Sequence, residues 1–166
     1  MAHEKANLGK RLVAAIIDGL IAGVLSGVIS FLGIGSLLGG AYILTKDALM
    51  FELLKEPAWK GRSVGKRVMR LKVAGPRGSD VNFESSAKRN WPLAIGELLS
   101  FIVALMPTGK VAWSSWSLIV GVSLIIGIIE IALVLTDPQG RRLGDRLADT
   151  RVVEVAEEGP SADRTL

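Results

Sequence analysis

Three carboxylates in this chain lie in stretches where water is scarce. Asp18 sits in an apolar run, about 12–32, that holds no other charge and has Arg11 at its entrance. Glu97 lies within the shorter run 91–106, and Glu130 near the end of the run 116–135. About 20 apolar residues cross the hydrocarbon core of a bilayer. An acid in such a segment costs several kcal/mol unless it meets a base or water, so it marks either an ion or proton path or a structural ion pair. Asp18, Glu97 and Glu130 together are therefore the candidate polar path. The competing role is charge neutralisation by Arg11, Arg89 or Arg142, which would only fix helix register. Arg11 and Asp18 are two helical turns apart on one face, a rise of about 10 Å. That separation is too long for a direct pair and gives Asp18 a partner from another segment.

The elements that must position these acids read as an all-α membrane protein: four transmembrane helices in a bundle, with a small cytoplasmic interfacial helix and a short β-hairpin. The 166 residues are 49% hydrophobic, with a mean hydropathy of +0.42. The spans fall at about 12–32, 36–54, 91–106 and 116–135. The second is the weakest, because Lys46, Asp47 and Glu52 populate its later half. Of the 20 basic residues, three precede the first span, ten lie between Lys55 and Arg89, and five follow the fourth. Four spans put all three basic segments on one side, which the positive-inside rule makes cytoplasmic, together with both termini. Trp113 and Trp116 stand where an aromatic belt belongs at the outer end of span four. The first run is too long for a signal-peptide core, so cleavage is not expected.

Small residues repeat every four positions in span one, at Ala15, Gly19, Gly23 and Gly27. Such a face lets helices approach closely, within the bundle or across a homodimer. Gly96, Ser100 and Ala104 repeat the spacing in span three.

Between spans two and three, the segment from Gly61 to Val73 is similar to a phosphate-binding loop but has the wrong glycine spacing, and Arg67 stands in place of Ser/Thr. Val64, Val68 and Leu71 share a helical face, which reads as an interfacial helix on anionic headgroups. Residues 71–74 and 80–83 read as strand, turn, strand, with Ser85 or Ser86 capping the next helix. Arg62, Lys66, Arg67, Arg89, Arg142, Arg146 and Asp149 form the expected cytoplasmic basic and salt-bridge cluster. Arg151-Val-Val-Glu-Val is strand-like and could join the hairpin, and 156–166 reads as a disordered tail after a single domain, 1–155. The chain has no Cys and its one His, His3, is in the N-terminal arm. No metal site, cofactor or nucleophilic triad is expected, and neither is nucleic acid as a partner, since the excess of +4 charges reports topology.

Taken together these residues resemble the RDD family of bacterial membrane proteins. Its namesake residues are an arginine at the start of the first membrane helix, an aspartate in that helix and a second aspartate elsewhere. The corresponding residues here are similar in Arg11, Asp18 and Asp145. The stretches from Tyr42 to Leu49, from Gly61 to Arg67 with Leu71-Lys-Val, and Lys88-Arg-Asn also fit. The sequence departs at Gly144, where many relatives have His, and at Asp149, where Gly is common. The resemblance implies a bacterial plasma membrane and a role in transport. Two functions from different classes follow: a small transporter or transporter component for ions or a small solute, or a non-transporting accessory protein that docks a partner or anionic lipid through its basic loop. An enzyme is not expected.

Overall fold

The computed structural model describes residues 6–28, 34–105 and 111–155. His3, Lys110, the tail 156–166 and the side chain of Trp113 lie outside the described residues. Most of the chain is helical. α1 (Leu8–Val28), α2 (Gly35–Leu54), α4 (Phe83–Ala104) and α5 (Val111–Thr136) are long. α3 (Val64–Val68) and α6 (Leu143–Leu147) are single turns. Two segments, Leu8–Val28 and Ser115–Thr136, are long and apolar enough to cross a membrane.

The buried stripe of α1 is Ala14, Asp18 and Ala22, spaced by four and therefore on one face. Leu12, Ile16, Leu20 and Val24 on the other faces are exposed. This corrects the expectation for Gly19, Gly23 and Gly27. A Cβ added to any of them would meet nothing within 4 Å, so they do not form the close-approach face inside the chain. The glycines of α2 take that role. A Cβ on Gly39 would come within 3.2 Å of the Ala22 carbonyl oxygen, and one on Gly40 within 3.3 Å of the Glu97 Cβ. Gly39 and Gly40 thus let α2 lie between α1 and α4, and α5 packs on the other side of α4. Gly96 meets Ser123 at that second junction, so part of the spacing expected in span three is used.

The polar end of the helices is closed by a small layer. β1 (Leu71–Ala74) pairs antiparallel with β2 (Arg151–Glu154), Leu71 opposite Glu154 and Ala74 opposite Arg151. The expected hairpin with 80–83 does not form. Asn82 instead caps α4 by accepting from the Ser85 N–H at 2.9 Å, while the Ser85 hydroxyl bonds the Asn82 N–H, also at 2.9 Å. Neither Ser85 nor Ser86 is the cap, and the capping box commits this segment to helix before it can pair as strand. The strand pairing falls to the distant Val152 and Val153, both buried. Glu154 accepts from the Asn7 N–H at 2.8 Å and pairs with Lys10, tying β2 to the entrance of α1.

α3 is not a free interfacial helix. A Cβ on Gly65 would lie 2.1 Å from the Ala14 carbonyl oxygen, so the turn is pressed against α1 through its glycine, although Val68 on its far side is exposed. α6 docks in the same way. A Cβ on Gly144 would lie 1.8 Å from the Arg89 carbonyl oxygen, which leaves no room for a larger residue. Asp149, just after α6, has φ 48, a left-handed conformation that glycine adopts at least cost.

Gly144→Ala should therefore destabilise the protein by about 1–3 kcal/mol through overpacking, read as a lower midpoint in detergent thermal unfolding. Gly23→Ala should leave that midpoint unchanged or slightly raised.

Candidate functional site: a buried ionic network at the base of a cavity

Where α1, α2, α3 and α4 meet, Asp18 is 2% exposed. Its carboxylate accepts from the Ser63 hydroxyl at 2.6 Å and from the Gly65 N–H at 2.9 Å. The Tyr42 hydroxyl donates at 3.4 Å, and the Lys46 ammonium lies 3.3 Å away. Asp18 thus takes its base from another helix, as the two-turn gap to Arg11 required. Each donor has a local reason for its place. Ser63 is the N-cap of α3, its hydroxyl also accepting from Lys66 N–H. Gly65 is at the contact with α1, and Tyr42 and Lys46 are one turn apart on α2.

Lys66 connects this site to a second carboxylate. Its ammonium donates to Asp47 at 2.6 Å and to the Ser63 hydroxyl at 3.4 Å. Asp47 also accepts from the Asn90 side chain at 3.0 Å, and Arg89 Nε lies 3.5 Å from it. Arg89 is fully buried and reaches onward, its Nη2 donating to Asp145 at 2.6 Å. Asp145 is also 3.3 Å from Arg11 and 3.4 Å from Arg142, and it accepts from the Arg142 backbone N–H at 3.2 Å. Arg142 in turn donates to the Asn90 side-chain oxygen at 3.3 Å, and Arg11 to the Gly140 carbonyl. A chain of contacts therefore runs from Asp18 through Lys66, Asp47 and Arg89 to Asp145 and Arg11. Buried charges are tolerated in this way, each one paired and hydrogen-bonded.

The surroundings shift the titrations outside the long helices. Burial pulls the Lys66 ammonium down to about 8, with Asp47 opposing. Burial pushes the Asp145 carboxyl up, but Arg89, Arg142 and Arg11 outweigh it and hold the group well below the usual carboxylate range.

The three acids of the expected path are not brought together. Glu97 accepts from the Ser26 hydroxyl at 3.0 Å, away from the network. Glu130 is buried and accepts from the Leu143 N–H at 3.1 Å, at the start of α6. Asp18 and Glu130 do share one feature, a cavity of about 570 Å³ between α1 and α5. Its walls are apolar, including Leu12, Ile43, Leu93 and Ile131, and its base carries Arg11, Lys46, Lys66, Arg89 and Arg142. Glu97 does not line it.

Of the expected basic cluster, Lys66, Arg89 and Arg142 join the network. Arg67 instead lies 4.2 Å over the Trp59 ring, and Arg146 pairs with Asp137 at 3.0 Å. Among the described residues neither Arg62 nor Asp149 has an ion pair; the Arg62 backbone N–H bonds the Trp59 carbonyl, and Asp149 makes the left-handed turn described above. Lys46, Asp47, Asn90, Ser63 and Tyr42 were not singled out from the sequence as site residues. Lys46 and Asp47 carried the signal that identified Asp18, charge within an apolar stretch, but counted there against the second span and as part of the family-like stretch from Tyr42 to Leu49, without a site role.

The family model for the RDD family matches residues 5–149. The chain belongs to the RDD family. No curated protein and no solved structure matches it. Family membership and the two apolar helices suggest a membrane protein. In this RDD protein the residues resembling the namesake set occupy the two ends of one ionic chain. Arg11 and Asp145 touch at one end, Asp18 stands at the other, and Lys66, Asp47 and Arg89 join them. One of the two departures is accounted for by packing, since Gly144 lies against the Arg89 backbone; Asp149 has a positive φ that glycine would adopt at less cost, and nothing in the structure explains the aspartate there.

Arg89→Met should leave Asp47 and Asp145 short of their shared cation and cost about 3–5 kcal/mol, measured by chemical or thermal unfolding in detergent. Lys66 gives a pH test. Burial makes the folded state hold this proton less tightly than the unfolded chain, whose value is 10.5. Its contribution to stability therefore rises as pH climbs from about 8 through the unfolded value. In the NMR spectrum of protein carrying 13C-methylated lysines, one resonance should titrate near pH 8 and be missing from Lys66→Met.

Proposed function

We propose that this protein is a four-span protein of the bacterial plasma membrane, with both termini cytoplasmic, that acts as a small transporter or transporter component for ions or a small solute. The observation that carries the reading is the cavity into which Asp18 and Glu130 both face as lining residues, with the ionic network at its base. Intramembrane acids that border a cavity rather than sit sealed between helices are placed to exchange ions or protons. Glu97, which pairs with Ser26 elsewhere, has no part in it. Four long helices, with basic segments gathered in the layer that holds α3, β1, β2 and α6, support the topology.

The accessory reading is less well supported, because much of the basic loop's charge is used internally. Lys66 and Arg89 are buried, and Lys60 and Lys72 pair with Asp80 at 2.8 and 3.6 Å. The protein acts without chemistry on its substrate and without a cofactor in this reading. Gly23 lies on α1 beyond the cavity lining, where an added Cβ would meet nothing within 4 Å and a second copy would pack, and the basic layer would rest on anionic headgroups.

Vesicles reconstituted with the purified protein should show pH-dependent cation or solute flux above protein-free vesicles. Asp18→Asn should reduce this flux to background, whereas Glu97→Gln should leave it intact. Flux that survives Asp18→Asn, or equal loss in both variants, would remove the role given to the cavity.

A further inference from the structure

The charges at the base of the cavity do not balance. Five bases meet there: Arg11, Lys46, Lys66, Arg89 and Arg142. Four acids face them, Asp18 and Glu130 on the lining and Asp47 and Asp145 in contact behind it. With all nine ionised, one positive charge is left over. Hydrogen bonding is incomplete at the same place. Arg89 is fully buried, yet its Nη1 and Nε have no hydrogen-bond acceptor, and Glu130 Oε1 has no donor. Asp145 meets Arg89 through Nη2 alone, so the buried positive charge is only partly compensated and an anion bound nearby would be attracted to it.

The rest of the cavity is apolar and open. Leu12 on the α1 wall and Leu135 on the α5 wall are each 59% exposed, so the opening lies between these two helices. Among the described residues α1 packs chiefly on α2 and α3, and α5 on α4. The α1 wall runs from Leu8 to Gly19, about 16 Å along the helix. That matches half of the ~30 Å hydrocarbon core, the depth of one leaflet.

We infer that this cavity is a binding site for one anionic phospholipid of the inner leaflet, its phosphodiester at Arg11 and Arg142, the lining guanidinium groups with accessible surface, and an acyl chain along the α1 and α5 walls. The ligand class follows from charge, hydrogen bonding and shape. A phosphodiester supplies the single negative charge and acceptor oxygens for the guanidinium groups of Arg11 and Arg142, while Arg89 stays behind them as a sealed positive charge. Basic pockets at the cytoplasmic ends of membrane helices take anionic headgroups in this way. The inference rests on the membrane-spanning reading above but not on transport, and lipid binding is measured without any flux.

The test uses native mass spectrometry of the full chain in detergent, titrated with phosphatidylglycerol, phosphatidylcholine or inorganic phosphate. Gly19 and Gly127 both line the cavity, and a Cβ on either meets nothing within 4 Å. Gly19→Leu combined with Gly127→Leu therefore fills the walls without touching the ionic network. The wild type should retain about one phosphatidylglycerol per chain. Phosphatidylcholine, and binding of phosphatidylglycerol to the filled variant, should be weaker by more than about tenfold, with the variant's thermal midpoint and elution volume unchanged. Equal retention of both lipids, or full retention by the filled variant, would overturn the proposal. Inorganic phosphate displacing the lipid completely would reduce the site to a bare anion site and overturn it as well. So would a wild-type dimer without lipid that the filling substitutions convert to monomer, because the walls would then belong to a second copy.

Discussion

Arg89 is the interaction on which the rest of the structure depends. Its guanidinium is wholly buried between Asp47 of α2 and Asp145 of α6, while its own helix is α4. Removing a charge of that kind from water costs several kcal/mol, and only well-placed partners return it. The partners must therefore be delivered to α4 by two separate elements, α2 and α6, at once. This requirement explains why α6 lies so close to α4 that Gly144 has no space for a side chain. It also explains why two single-turn helices, too short to persist alone, are ordered in place. α3 delivers Lys66 and α6 delivers Asp145, and the ionic chain holds each of them down.

The same constraint shapes the long helices. α1 buries only small residues and Asp18 on its inner face, so it gains little from apolar packing and depends on the contacts of that carboxylate with Ser63, Gly65 and Lys46. α2 carries Lys46 and Asp47 into the protein on adjacent positions, which spoils its apolar run but supplies Lys46 to the Asp18 end of the network and Asp47 to its middle. The long helices are thus held at one end by charge and along their length by close contact at Gly39, Gly40 and Gly96. Among the described residues neither kind of contact is prominent between α1 and α5, and the cavity lies between them.

Function follows from the imbalance between these regions. A network that was complete and neutral would be a structural clamp alone. This one borders an open apolar cavity, with donors of Arg89 and an acceptor of Glu130 unmet. The charge exchange and the lipid binding that we propose would both draw on that same edge, where the low-dielectric setting makes each added charge count for more than it would in water.

Much of this was legible in the residues themselves. Asp18 in an apolar run required a base from another segment, and the spacing from Arg11 ruled out the nearest one. Arg89 and Arg142 stood in the cluster expected from the sequence, and both pair with Asp145. Tertiary structure decided the partners. Lys46 and Asp47 weakened a span when read along the chain, because hydropathy counts a charge as exposed to lipid; only packing against α1, α3 and α4 pairs it. Residues 80–83 alternate like a strand, but a cap formed between Asn82 and Ser85 takes them first, leaving β1 to pair with a strand some 80 positions on. The glycine repeat of α1 has the right period for close packing, yet period alone does not say which face turns inward. The buried carboxylate decided that, since Asp18 must face the bases and carries its own stripe of α1 with it.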